Sequence, residues 1–152
     1  MRRPLTILLA EDDPDDRELA VDALTESRID CEIRCVEHGE ALLGYLRREG
    51  AYAADGAAPR PGIVLLDLNM PLLDGFAALQ AIKSDLRLRH IPVLVFTTSS
   101  DPVDVDRCYD LGATAYIQKP SSFDGMVALM RVLGAHWGDF AHLPTPGGHR
   151  AT

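Results

Sequence analysis

Five short apolar runs alternate with five amphipathic stretches along this chain, and that alternation constrains its fold more than any other feature. "PLTILLA" (4–10), "IVLLDLN" (63–69) and "IPVLVFTTS" (91–99) are apolar over most of their length, as strands buried on both faces of a parallel sheet are. "CEIRCV" (31–36) alternates instead, which suits a half-exposed edge strand, and "ATAYIQ" (113–118) is the fifth run. Residues 14–29, 38–50, 74–88, 101–112 and 122–137 read as helices. Asp13 can cap the first of them with Pro14 in its first turn, and Gly50 and Gly112 can close the second and fourth. Such alternation is the signature of βα units around a parallel sheet. One domain is expected over residues 1–137, with residues 138–152, "GDFAHLPTPGGHRAT", as an extension outside the alternation.

Composition removes several function classes. The 152 residues suffice for one domain with a real core. A net charge of −8 argues against a nucleic-acid binder, which needs clustered Lys and Arg, and against adhesion to an anionic membrane. The N-terminal "MRRPLTILLA" imitates a signal peptide, but its apolar part is too short and acids follow at once. No apolar run is long enough to span a bilayer. Cys31, Cys35 and Cys108 form no CxxC pair and leave one over, so they are expected as reduced, buried thiols of a cytoplasmic protein.

Chemistry gathers where strands end. "LLAEDDPDD" (8–16) places five acids between Glu11 and Asp16, and like charges that close repel unless a cation sits among them. Asp13, Asp15 and Asp16 read best as acids of a first helical turn, favoured by the macrodipole. Glu11 and Asp12 precede the helix. Asp67, Thr97–Thr98 and Lys119–Pro120 stand at three other strand ends. Ligands of open α/β sheets bind beyond the carboxyl ends of the strands. Any one of these residues alone would be a cap, a strand threonine or a surface lysine. Together they describe a rim of carboxylates, a hydroxyl and one ammonium, where a hard divalent cation such as Mg²⁺ relieves the repulsion.

The pieces "ILLAEDDPDD", "IVLLDLNMPLLDG", "IPVLVFTTSS" and "LGATAYIQKP" resemble the receiver domains of two-component response regulators, over roughly residues 5–135. The resemblance implies a flavodoxin-like, doubly wound (βα)5 fold with a five-stranded parallel sheet in order 2-1-3-4-5. It implies Asp67 as phosphoacceptor for a sensor histidine kinase. It further implies Mg²⁺ held by Glu11, Asp12, Asp67 and the backbone carbonyl of Asn69, and Lys119 contacting a phosphoryl oxygen. A cis bond before Pro120 and a Thr97–Tyr116 switch complete the pattern. A narrower resemblance, carried by "EDDPDD", "LLDLNMP", "LRHIPVLVFTTSS" and the trailing "HWGDFAHLP", is to stand-alone receivers that partner bacterial phytochrome kinases. Thr98, where many receivers carry alanine, and "PLLDG" depart from the common pattern.

One alternative is a Mg²⁺-dependent phosphatase of the haloacid-dehalogenase type, which also forms an aspartyl phosphate. It needs a DxDxT-like signature after the first strand; here Asp67 follows the third and no acid stands two residues on. A flavodoxin-like cofactor module is disfavoured because acids after the first strand repel a flavin phosphate. With no output domain expected after residue 137, the output should be protein contact. Trp137, Phe140 and Leu143, three apart, are expected to form an apolar arm that crosses to a second copy in a homodimer.

Overall fold

The computed structural model describes residues 5–139. Strands β1 (Leu5–Ala10), β2 (Cys31–Val36), β3 (Ile63–Leu66), β4 (Val93–Thr97) and β5 (Ala115–Gln118) alternate with helices α1 (Pro14–Ser27), α2 (Gly39–Arg47), α3 (Gly75–Ser84), α4 (Pro102–Asp110) and α5 (Phe123–Gly134). The strands form one parallel sheet in order β2-β1-β3-β4-β5. Register runs Ile7 to Ile33 and Ile63, Val64 to Val93, and Leu94 to Ala115. The alternating strand β2 is an edge, pairing with β1 alone, while the continuously apolar β1, β3 and β4 lie inside.

The period of two along each strand divides the core into two layers. Leu8, Ala10, Val64, Leu66, Val93 and Val95 face α2, α3 and α4 through Leu42, Leu79, Ile82 and Cys108. Ile7, Leu9, Ile63, Leu65, Leu94 and Phe96 face α1 and α5 through Ala20, Leu24, Met126, Met130 and Leu133. Each helix start is secured by a side chain: Asp13 accepts from the Asp15 and Asp16 amides, His38 from Ala41, Asp74 from Ala77, Asp101 from Val103 and Ser122 from Gly125.

Elements are shorter than their hydropathy suggests. The third strand ends at Leu66, so Asp67 stands just past the ladder, and α5 stops at Gly134, with a single π-helical turn over Ala135–Asp139. Not all thiols are buried as expected: Cys108 is, but Cys31 is half-buried and Cys35 exposed, because both faces of an edge strand border solvent. Trp137 packs against the α1–α5 layer, alongside the half-buried Leu129. Phe140 and Leu143 lie outside the described residues, as does most of the extension.

Candidate functional site

Three backbone turns deliver the acidic rim. Beyond β1, the Glu11 amide continues the sheet by bonding Val36 O at 3.0 Å, and the Asp67 amide does the same to Ala10 O at 3.1 Å. These bonds hold two carboxylates in the sheet's own geometry although neither residue belongs to a strand. Both are buried, at 1% and 6% exposure, whereas Asp12 points to solvent. Gly75 lets the chain fold back over this point: a Cβ there would meet Leu68 Cα at 2.5 Å and Asp67 O at 2.6 Å. Its amide bonds Leu68 O at 3.0 Å.

Glu11, Asp12 and Asp67 can each offer one oxygen such that all three lie within 4.8 Å of one another. An all-oxygen donor set with one exposed member fits a hard divalent ion that keeps part of its water shell. Asp67 Oδ1 accepts from the Asn69 amide at 3.2 Å, a turn that points the loop outward. Asn69 itself is exposed.

Lys119 is the cation of the site. Its amide bonds Thr97 O at 2.7 Å, which ties the end of β5 to the end of β4. Its ammonium pairs with Glu11, lies 3.1 Å from Asp16 Oδ2 and 3.6 Å from Asp67 Oδ2. Burial pulls the lysine's proton affinity down, but the Glu11 bond and the Asp67 charge more than offset this, and its pKa ends above the ordinary value. Burial pushes the Glu11 carboxyl up to about 7; the Lys119 bond opposes the shift and nearby Asp67 adds to it.

Thr97 is fully buried, with its Oγ1 accepting weakly from the Ser99 amide at 3.4 Å. Thr98 is exposed. Tyr116 is half-buried; its hydroxyl donates to Ser99 O at 2.9 Å, and its amide bonds the Tyr109 hydroxyl at 3.1 Å. The tyrosine thus closes on the same β4–α4 loop that Thr97 begins.

One sequence expectation needs correction. There is no cis peptide bond among the described residues, so the bond before Pro120 is trans. A lysine side chain is long enough to reach all three carboxylates from a trans turn, and the Lys119 amide is already positioned by Thr97. Asp16 stands in the first turn of α1, as read, and its carboxylate also reaches Lys119. Sequence reasoning also passed over Arg17, whose Nη1 donates to the Glu11 and Asp12 carbonyls at 2.9 and 3.0 Å while Nη2 lies 3.4 Å from Glu37. A guanidinium bound to backbone oxygens leaves no pattern in a sequence.

With this geometry in view, comparison with known proteins is specific. The family model for the response regulator receiver domain matches residues 7–131. Response regulator Rcp1 of Synechocystis sp. is 35% identical over 141 residues, covering 93% of this chain and 94% of that protein. The crystal structure of its Mn(2+)-bound form matches with TM-score 0.81 at 34% identity, over 93% of this chain and 100% of that one. The phosphorylated cyanobacterial phytochrome response regulator RcpA matches with TM-score 0.84 at 37% identity, over 93% and 99% of the two chains. A response regulator in red light signaling of R. palustris reaches TM-score 0.87 at 35% identity, over the same shares.

Proposed function

Because this chain belongs to the response regulator receiver family, we propose that it accepts a phosphoryl group on Asp67 from the phosphohistidine of a sensor histidine kinase. Three carboxylates grouped at the ends of β1 and β3, two of them paired with the Lys119 ammonium from the end of β5, carry this reading. An Asp67 oxygen forms the new O–P bond as the N–P bond to the kinase imidazole breaks, and the imidazole, already protonated on its other ring nitrogen, keeps the bonding electron pair and leaves as the neutral base. Lys119, 3.6 Å from Asp67 Oδ2, moves onto a phosphoryl oxygen and offsets charge in the transition state. Glu11, Asp12, Asp67 and the Asn69 carbonyl would hold Mg²⁺, which when bound screens the carboxylates from the incoming phosphoryl dianion. The Thr97 hydroxyl, freed from its weak Ser99 contact, donates to the phosphoryl group. Tyr116 then exchanges its Ser99 bond for another position and changes the surface beside α4. Water attack on the acyl phosphate returns Asp67 to its resting form, so the only chemistry is on the protein itself.

The haloacid-dehalogenase alternative has no support from the family match or from the fold. The relatives described as phytochrome response regulators favour a phytochrome kinase as donor; a cytoplasmic setting and a homodimer to which the extension contributes belong to the same proposal. No described helix is long and apolar enough to cross a membrane. Acetyl phosphate with Mg²⁺ should add one phosphoryl group to the intact protein and none to Asp67→Asn, read by mass spectrometry. Equal phosphorylation of that variant would remove Asp67 from its role. Transfer from purified histidine kinases of the host, phytochrome and otherwise, identifies the donor.

A further inference from the structure

Asp16 is the carboxylate at this rim that neither the metal group nor the phosphoacceptor role accounts for. It stands in the first turn of α1, half-exposed, with Oδ2 3.1 Å from Lys119 Nζ, nearer than Asp67 Oδ2 at 3.6 Å. Its place is held from two sides. The Asp16 amide donates to the capping Asp13 carboxylate at 3.4 Å. Next in sequence, Arg17 ties the same turn to the Glu11 and Asp12 carbonyls. The turn is therefore fastened to the β1 loop, and Asp16 overhangs the ammonium. With Glu11 and Asp16 inside hydrogen-bonding distance and Asp67 outside it, the resting lysine is drawn away from the nucleophile.

We propose that Asp16 is a positioning residue that acts through Lys119: it holds the ammonium off Asp67 at rest and competes with the phosphoryl group for it. This rests on Asp67 being the phosphoacceptor. A carboxylate in a direct ion pair is a poorer nucleophile, so parking the ammonium on Asp16 leaves Asp67 free to attack the phosphoryl group. Once a phosphoryl group is present, its oxygens carry more charge than Asp16 and recruit the lysine. The contact to Asp16 is weakened in that exchange, and the energy of that ion pair therefore favours the unphosphorylated state.

The test is an equilibrium measurement on the full chain with beryllium trifluoride, a phosphoryl analogue, in saturating Mg²⁺. Asp16→Asn should bind it about two- to fivefold more tightly than the unaltered protein, the scale of a partly exposed ion pair. In a Lys119→Met background the same change should have no effect on affinity. Mg²⁺ affinity without analogue should stay within about twofold in Asp16→Asn, because Asp16 lies outside the metal group. Weaker analogue binding by Asp16→Asn would overturn the proposal, since Asp16 would then be assisting Lys119 rather than restraining it. So would a gain that persists without Lys119, which would be plain charge repulsion, or a large loss of Mg²⁺ affinity, which would make Asp16 a ligand. If the unaltered protein fails to bind the analogue, the phosphoacceptor reading fails and this inference goes with it.

Discussion

The two ends of the same sheet are built from opposite charges and solve opposite problems. At the carboxyl end, Glu11, Asp16 and Asp67 crowd around Lys119, and Asp12 stands beside Glu11 and Asp67. At the amino ends of β3 and β4, Arg47, Arg48, Arg60 and Arg87 line a cavity of about 210 Å³ with Asp85 as the one acid. There the cations are spent on the fold. Arg48 Nε donates to Ala58 O at 3.2 Å, Arg60 Nη1 to Arg87 O at 3.4 Å, and Arg47 lies 3.6 Å from Asp85. Lys83 closes the same region by bonding Arg89 O and Ile91 O at 3.0 and 2.8 Å. These groups staple the long 53–62 loop and the α3–β4 loop, and the Tyr45 hydroxyl holds Pro59 O at 2.8 Å beside them. At the acidic end the carboxylates repel one another, and among the described residues Lys119 is the cation that pairs with them. One end is tied down largely by its own backbone; the other is left to be completed by what binds.

That contrast is broken most severely at Asp12. Asp12→Ala should lower Mg²⁺ affinity by about a hundredfold and prevent phosphorylation, leaving the far-ultraviolet circular dichroism unchanged, because an exposed ligand carries no core contacts. Titration calorimetry measures it. Loss of the folded spectrum would make Asp12 a structural residue like the arginines opposite.

The next effect is in pH. Burial holds the Glu11 carboxyl near pKa 7 in the metal-free protein, against 4.5 ordinarily. A raised folded pKa means the folded state binds the proton more tightly. Glu11's contribution to stability is therefore fully present below pH 4.5 and is lost as pH rises through about 7. Mg²⁺ must displace that proton, so its affinity should rise about tenfold between pH 6 and pH 8 and level off above. In Glu11→Gln the rise over that window should vanish. A wild-type affinity flat from pH 6 to pH 8 would mean that Glu11 is not among the groups the metal engages.

Smaller again is the thermal effect of Asp67→Asn. Removing one carboxylate from a like-charged pair relieves its repulsion with Glu11. Without metal, this variant should melt about 2–4 °C higher, the shift expected for about 1 kcal/mol in a chain of this length. A lower melting temperature would show that the rim is satisfied as it stands.

How much of this could be read from the residues follows the same division. The strands were legible where both faces are buried, and Asp67, Thr97 and Lys119 stood out because reactive types fell at consecutive strand ends. Element ends were less legible, since apolar character runs on past the last ladder bond: Ile91 and Leu68 are buried without belonging to a strand. Asp16 was hidden because an acid in a first helical turn already has a sufficient explanation in the macrodipole. Arg17, Arg48 and Arg60 were hidden because their partners are backbone oxygens, which every residue possesses. The Lys119–Pro120 isomer was not legible at all, because the intrinsic preference between isomers is only about 0.5–1 kcal/mol.

The smallest effect belongs to the basic end, and it tests whether those arginines are structural throughout. Arg60 has one amino group in a long 3.4 Å bond to Arg87 O and the other, Nη2, buried without a protein partner. Burial lowers its pKa, and the charge of Arg48 lowers it further. A buried donor without an acceptor costs about 1–3 kcal/mol, while one weak bond returns about 1 kcal/mol. The apolar stem, which lines the cavity together with Pro61 and Leu88, is then what the site uses rather than the charge. Arg60→Met keeps a stem of similar length and removes the unpaired group. Its stability should stay within about 1 kcal/mol of the original, on the higher side, by urea denaturation, and phosphorylation by acetyl phosphate should be unchanged. Arg60→Ala should cost more than Arg60→Met, because it also removes the packed stem. If Arg60→Met instead unfolds as readily as Arg60→Ala, the guanidinium is the staple, and the basic end depends on its charge as fully as the acidic end does.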